Sequence, residues 1–277
     1  MKIEEISSII EAAIQEDMPE GDITSESVIP EDSVSQAVFL AKGGGVLAGI
    51  DIARSVFVRL DPLVQFEKLK EDGSNIQKGD MLARLKGNSI SLLKGERIAL
   101  NFLQRMSGIA SLSRIFVRAL KGFGTKLLDT RKTTPTLRVL EKYAVRAGGG
   151  SNHRLNLSDM IMIKDNHLKI IGGITEAVNR ARKKGPRGAK IEVETSNLEE
   201  VQEALRCEVD IIMLDNMTIE EMKQAVSLSR GRVPLEASGG IQLSQIAEIA
   251  ATGVDFISVG HLTHSYASLD ISMEIHG

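Results

Sequence analysis

At 277 residues, with 42% apolar residues, 26% charged residues and a net charge of −3, the chain fits one large globular domain or two smaller ones. A pI near 6.0 and 3% aromatic residues, none of them Trp, argue against a nucleic-acid footprint. Cys207 is the only cysteine, which excludes a disulfide framework and a thiolate metal cage. No signal peptide and no membrane-spanning run is found, so a cytoplasmic protein with no membrane partner is expected.

Ile3, Ile6, Ile9, Ile10, Ala13 and Ile14 predict one apolar face of a first helix, which Met18-Pro19-Glu20-Gly21-Asp22 ends. Residues 36–41, 64–70 and Met81–Lys86 read as strands. The turn signals Asp72-Gly73 and Lys78-Gly79-Asp80 make this a small sheet domain with hairpins. Its glycine punctuation is similar to that of lipoyl or biotinyl carrier modules, but no lysine sits at a suitable tip. From Ser91 to about Met106, Leu92, Leu93, Ile98, Ala99, Phe102, Leu103 and Met106 share a helical face. Ser107-Gly108 is predicted to break that helix, with a second one running to Leu120. The domain boundary is placed there: an α+β domain over 1–108, then a second domain over 109–277 whose last residues pack back on the first.

After Thr125 apolar strands alternate with helical segments: Lys126–Leu128, Met160–Ile163, Lys190–Val193, Ile211–Leu214, Pro234–Leu235 and Phe256–Val259. Capping boxes, Ser196-x-x-Glu199 and Thr218-x-x-Glu221, open two of the helices, and a third covers Gln242–Ala250. Glu194, Asp215 and Glu236 recur every 21 residues, each read as standing at the C-terminal end of a strand. Repeated βα units of this length predict an incomplete TIM-like α/β barrel of about six or seven strands, with the site at the C-terminal strand ends. Its late loops, Ser238-Gly239-Gly240 and Gly260-His261, suit a phosphate.

The stretch from Asp129 to His167 holds seven Arg or Lys against four Asp or Glu, in a chain of net charge −3. That local excess points to an anionic ligand. Arg131, Lys132, Arg154 and Lys164 would meet carboxylates. Glu194 and Asp215 would bind sugar hydroxyls or a hard cation such as Mg²⁺. Together they describe a phosphorylated sugar beside a small acid. Singly, each is ordinary: a lone Arg or Lys is usually solvated, and a Gly-Gly pair is usually a turn. His153 and His167 stand 14 residues apart, without the spacing of a zinc pair, and His261 with His264 is a weak signal. Glu236 is read as a carboxylate in a structural ion pair. Convergence on one face of the barrel carries the functional reading.

Three blocks then stand out: Gly95-Glu96-Arg97-Ile98-Ala99-Leu100-Asn101-Phe102-Leu103-Gln104, Asp129-Thr130-Arg131-Lys132-Thr133-Thr134-Pro135, and Ala147-Gly148-Gly149-Gly150-x-Asn152-His153-Arg154 leading to Ile163-Lys164-Asp165-Asn166-His167. With Glu192-Val193-Glu194, Leu214-Asp215-Asn216, Ala237-Ser238-Gly239-Gly240 and Val259-Gly260, the chain closely resembles the quinolinate phosphoribosyltransferases, from Gly21-Asp22-Ile23-Thr24 onwards. The resemblance implies a mixed α/β domain followed by an incomplete barrel, in a homo-oligomer, at least a dimer, with shared active sites. It implies transfer of phosphoribose from phosphoribosyl pyrophosphate to quinolinate with release of pyrophosphate and CO₂, in NAD biosynthesis. It implies catalytic roles for Lys132, Lys164, Glu194 and Asp215, with Mg²⁺ held directly or indirectly by the two acids. Substrate contacts are implied for Arg97, which would reach in from a neighbouring subunit, and for Thr130, Arg131, His153 and Arg154. The loops Ser238, Gly239, Gly240 and Val259, Gly260, His261 would cradle phosphate. Neither His153 nor His167 is assigned as a base; His153 is expected to hold Arg154 in place.

Overall fold

A computed structural model describes residues 3–276. The chain opens with α1 (Ile3–Asp17), α2 (Ile23–Val28), β1 (Val34–Ala41), β2 (Gly45–Val46), α3 (Ile50–Leu60), β3 (Gln65–Lys68), β4 (Asn75–Ile76), β5 (Met81–Asn88) and the long α4 (Ser89–Ala119). It continues with β6 (Lys126–Leu128), α5 (Arg138–Ala147), β7 (Ile161–Ile163), α6 (Asp165–Ile171), α7 (Ile174–Lys184), β8 (Ile191–Thr195) and α8 (Leu198–Arg206). Last come β9 (Ile211–Asp215), α9 (Ile219–Ser229), β10 (Leu235–Ser238), α10 (Ile246–Ala250), β11 (Phe256–Ser258), α11 (His261–His264) and β12 (Ile271–His276). Two compact units result. One holds the chain up to Arg114, Thr133–Gly149 and the segment from Leu262; the other holds Ile115–Lys132 and Gly150–His261. No helix among the described residues is long and apolar enough to cross a membrane.

The first unit is an α+β sandwich. Its antiparallel sheet runs β12-β1-β5-β3, so the C-terminal strand pairs with β1, Ala41 opposite Ile271. Phe39 on β1, Phe57 on α3 and Phe66 on β3 meet with ring centroids 6.0–6.1 Å apart and join helix to sheet. Ile6 and Ile10 of α1 are buried, as the helical spacing requires; the side chain of Ile3 lies outside the described residues. The predicted break at Ser107-Gly108 does not occur, and α4 runs through it. Gly108 serves packing instead: a Cβ there would collide with the carbonyl oxygen of Ala267.

The second unit is an incomplete α/β barrel, a parallel sheet in the order β6-β11-β10-β9-β8-β7. The period-two alternation sorts its side chains. Val193, Ile212, Leu214, Leu235, Ala237, Ile257 and Leu127 share one face by register and are all buried beneath the helices. The other face carries Glu192, Glu194, Met213, Asp215, Glu236 and Ser238. Beyond β6, Ser151 makes a single parallel bridge to Leu128 and acts as a one-residue seventh strand. Only Lys126–Leu128 keeps its predicted bounds: β7 starts at Ile161, β8 is Ile191–Thr195, β9 reaches Asp215, β11 stops at Ser258, and β10 is Leu235–Ser238 rather than Pro234–Leu235. Glu236 therefore stands inside its strand and is fully buried, not at the strand's C-terminal end. Of the two predicted capping boxes, Thr218/Glu221 forms. The other cap falls one residue later, on Asn197, whose side chain accepts from Glu200 N at 2.9 Å.

Candidate active site

Each strand of the barrel ends in, or is followed by, a polar side chain because the apolar pattern stops there. Lys164 follows β7, and its Nζ donates to Glu194 Oε2 of β8 at 2.6 Å. The Lys164 N–H donates to His167 Nδ1 at 2.9 Å, which commits His167 to capping α6. Asp215 ends β9, and its Oδ2 accepts from Asn216 Nδ2 at 2.8 Å. Asn216 has φ +55° and donates its N–H to Ser238 O at 3.0 Å. Gly239, at φ +107°, lies so close that a Cβ would strike the Asn216 side chain; only glycine fits. Gly240, also at positive φ, faces open space. Val259 is buried and donates its N–H to Leu128 O at 3.0 Å, fixing the turn into Gly260 and His261.

The loop after β6 supplies cations. Thr130 Oγ1 accepts from the Lys132 N–H at 3.1 Å and shapes the turn that carries Arg131 and Lys132. Arg154 is partly buried and donates from Nη1 to Met160 O at 3.3 Å. Burial lowers the pKa of its guanidinium, and the nearby positive charge of Arg131 lowers it further. Glu192 and Asp159 act on it in the opposite direction and offset this only in part. Arg97 belongs to the first unit, on the exposed side of α4.

The sequence reading named His153 and, as an ion-pairing carboxylate, Glu236, but not their meeting with Glu192. His153 turns into the barrel, with Nε2 at 3.1 Å from Glu192 Oε2 and 3.3 Å from Glu236 Oε2. A residue two positions beyond the Ser151 bridge on the free edge of β6 thus meets strands β8 and β10, so the sheet must curl round to that edge. Both glutamates are fully buried, and their oxygens have no well-aligned hydrogen bond. Burial opposes charge on His153, but the two carboxylates outweigh it and lift its pKa to about 9. Burial, reinforced by Glu236, also raises Glu192. His153 Nδ1 accepts the Arg154 N–H at 2.7 Å, so its lone pair is in use and the ring proton sits on Nε2. Glu192 was legible in principle: Glu192-x-Glu194 in an apolar strand puts two acids on one face.

For a divalent cation, Glu194 and Asp215 offer hard oxygen donors on the same face of adjacent strands. Lys164 and Asn216 each occupy one carboxylate oxygen, which leaves the other for a further partner. His153, Glu192 and Glu236 also place donor atoms within 4.8 Å of one another, but at separations that a bridging proton accounts for.

A barrel whose open rim pairs clustered cations with strand-end acids and glycine turns belongs to the class that handles phosphorylated, multiply anionic substrates. The sequence matches the family models of the quinolinate phosphoribosyl transferase N-terminal domain over residues 22–107 and C-terminal domain over 109–274, and the chain belongs to that family. It is 46% identical over 260 residues to a probable nicotinate-nucleotide pyrophosphorylase (carboxylating) of Bacillus subtilis, covering 94% of this chain and 90% of that protein. A protein of the same name from Synechocystis is 47% identical over 265 residues, with 95% and 90% covered. The crystal structure of NadC from Streptococcus pyogenes superposes with a TM-score of 0.97 at 42% identity, covering 100% of this chain and 98% of that one.

Proposed function

We propose that this chain transfers phosphoribose from phosphoribosyl pyrophosphate to quinolinate, releasing pyrophosphate and CO₂ and forming nicotinate mononucleotide. The observation that carries this is that Arg131 lies close enough to Arg154 to act on its charge, in a barrel whose strand ends also present Lys164, Glu194 and Asp215. Quinolinate bears two adjacent carboxylates, which suit a pair of guanidiniums. As the bond from ribose C1′ to the pyrophosphate oxygen breaks, positive charge grows on the sugar and negative charge on the leaving group. Glu194 and Asp215 stabilise the first, and Lys132 and Lys164 the second. The pyridine nitrogen closes the new bond to C1′ and becomes cationic. Its positive charge stabilises the electron pair left on C2 when the 2-carboxylate departs as CO₂, and that pair takes up a proton. No strong base is needed, in keeping with His167 acting as a cap.

Glu194 and Asp215 fit Mg²⁺ through the donor oxygens left open to them; when bound, the ion neutralises charge on pyrophosphate. Gly239 and Gly240, with Val259, Gly260 and His261, suit the ribose phosphate. Exposed Arg97 fits a contribution to a neighbouring subunit's site within a homo-oligomer. The deciding assay measures pyrophosphate and CO₂ with phosphoribosyl pyrophosphate, Mg²⁺ and either quinolinate or nicotinate. Both products are expected with quinolinate. Pyrophosphate release with nicotinate alone would refute the assignment.

A further inference from the structure

Segment Gly150–Arg154 closes the barrel with almost no ladder of its own. Ser151 donates its N–H to Leu127 O at 2.8 Å and accepts the Asp129 N–H at 3.2 Å. Beyond that bridge, side chains hold the segment. Buried Asp129 accepts the His153 N–H at 2.8 Å and Asn152 Nδ2 at 2.5 Å. On the barrel side the imidazole meets Glu192 and Glu236. On its other side Nδ1 takes the N–H of Arg154. His153 therefore forms one link between two strands of the barrel and the backbone of Arg154.

Stability alone gives little reason for two buried acids at this place. Apolar residues of similar volume usually serve a fold as well or better than a buried charged cluster. The sheet's other face is apolar by the same register, so this sequence can build apolar strands. Nor can these acids meet substrate directly. Glu236 is level with Glu194 across Met213 and Glu192 is one step deeper, yet both are fully closed off, while Glu194 keeps some exposure.

We propose, building on the reaction set out above, that Glu192 and Glu236 are positioning residues: they grip His153 Nε2 from β8 and β10 and so fix where Arg154 stands for the substrate acid. Arg154 needs such a hold because burial and the charge of Arg131 both work against its guanidinium, and Glu192 and Asp159 offset them only in part. A guanidinium displaced by about 1 Å meets a rigid dicarboxylate badly, at a cost of up to about a hundredfold in turnover.

The test uses the full-length protein with Glu192→Gln and Glu236→Gln, which keep side-chain volume. Each should raise the KM for quinolinate about tenfold or more. The KM for phosphoribosyl pyrophosphate should stay within about twofold, a split that general loosening would not produce. Glu236→Asp, which keeps the carboxylate, should recover part of the loss. In ¹⁵N-histidine-labelled wild-type protein, His153 should show a protonated Nε2 shielded from exchange with water and an acceptor Nδ1; either glutamine variant should shift the Nε2 resonance and speed its exchange. Unchanged quinolinate KM, an equal rise in both KM values, or an unprotonated or freely exchanging Nε2 in the wild type would each overturn the proposal. So would a stoichiometric divalent metal in the purified protein that is lost with Glu192→Gln, since the cluster would then be a metal site. If a glutamine variant fails to fold, the wild-type spectrum still decides. If the wild type does not turn over quinolinate, the reaction is wrong, and the spectrum tests the grip on His153 separately.

Discussion

At the level of single residues, charge is placed where burial works against it. Arg154 and Arg131 repel each other in a partly buried site. Arg154→Gln should therefore leave thermal stability unchanged or slightly higher in calorimetry, while kcat/KM for quinolinate falls by about a hundredfold or more. A marked fall in melting temperature would mean that Arg154 is a structural residue. His153 gives a pH test. Its pKa rises from 6.5 to about 9 on folding because two carboxylates outweigh burial. The fold therefore gains most from it below the unfolded pKa of 6.5 and loses that gain as pH climbs through about 9. The urea midpoint of the wild type should exceed that of His153→Gln by more at pH 6 than at pH 9.5. A gap that widens with pH would reverse the sign and rule out this proton arrangement. Most of the strand-end residues could be picked out from the sequence because charge follows an apolar run. Glu192 and Glu236 could not be placed that way: only the third dimension brings them to His153, and buried acids look like strand-end acids in a linear pattern.

At the level of elements, periodicity revealed the alternation and the strands, with ends shifted by one to three residues where side-chain pattern and backbone pairing part company. Beside Lys126–Leu128, which keeps its bounds, β10 moved most, because Glu236 and Ser238 broke its apolar run although both lie in the parallel ladder. The false helix break at Gly108 has the opposite cause. Glycine reads as punctuation, but here it makes room for the carbonyl of Ala267. Gly108→Ala adds little to helix propensity and creates a backbone collision, so it should destabilise by about 2 kcal/mol, seen as a lower urea midpoint. A stabilised variant would show that the helix and the Ala267 segment part easily. The seventh barrel position was hidden for a related reason: Ser151 is one bridge long, and no periodicity marks a single residue.

At the level of the whole molecule, the chain weaves between its units in a way that no linear pattern announces. Thr133–Gly149 and the C-terminal segment join the first unit, and β12 completes the sheet beside β1. Assembly is further still from a single sequence. Arg97 lies on the exposed side of α4, in the first unit, while Arg131, Arg154 and Lys164 belong to the second. If Arg97 completes a neighbouring subunit's site, Arg97→Ala and Lys164→Ala should each be nearly inactive alone. Mixed under conditions that let subunits exchange, they should regain activity. In a mixed dimer one site carries both defects and the other carries neither. With random exchange half the dimers are mixed, so about a quarter of wild-type activity should return. Activity that stays at the level of the separate variants, with exchange verified by mass spectrometry of differently labelled subunits, would mean that each subunit uses its own Arg97 or none. The measurement needs no knowledge of the interface, because only a site built from two chains can be repaired by a partner that is itself defective.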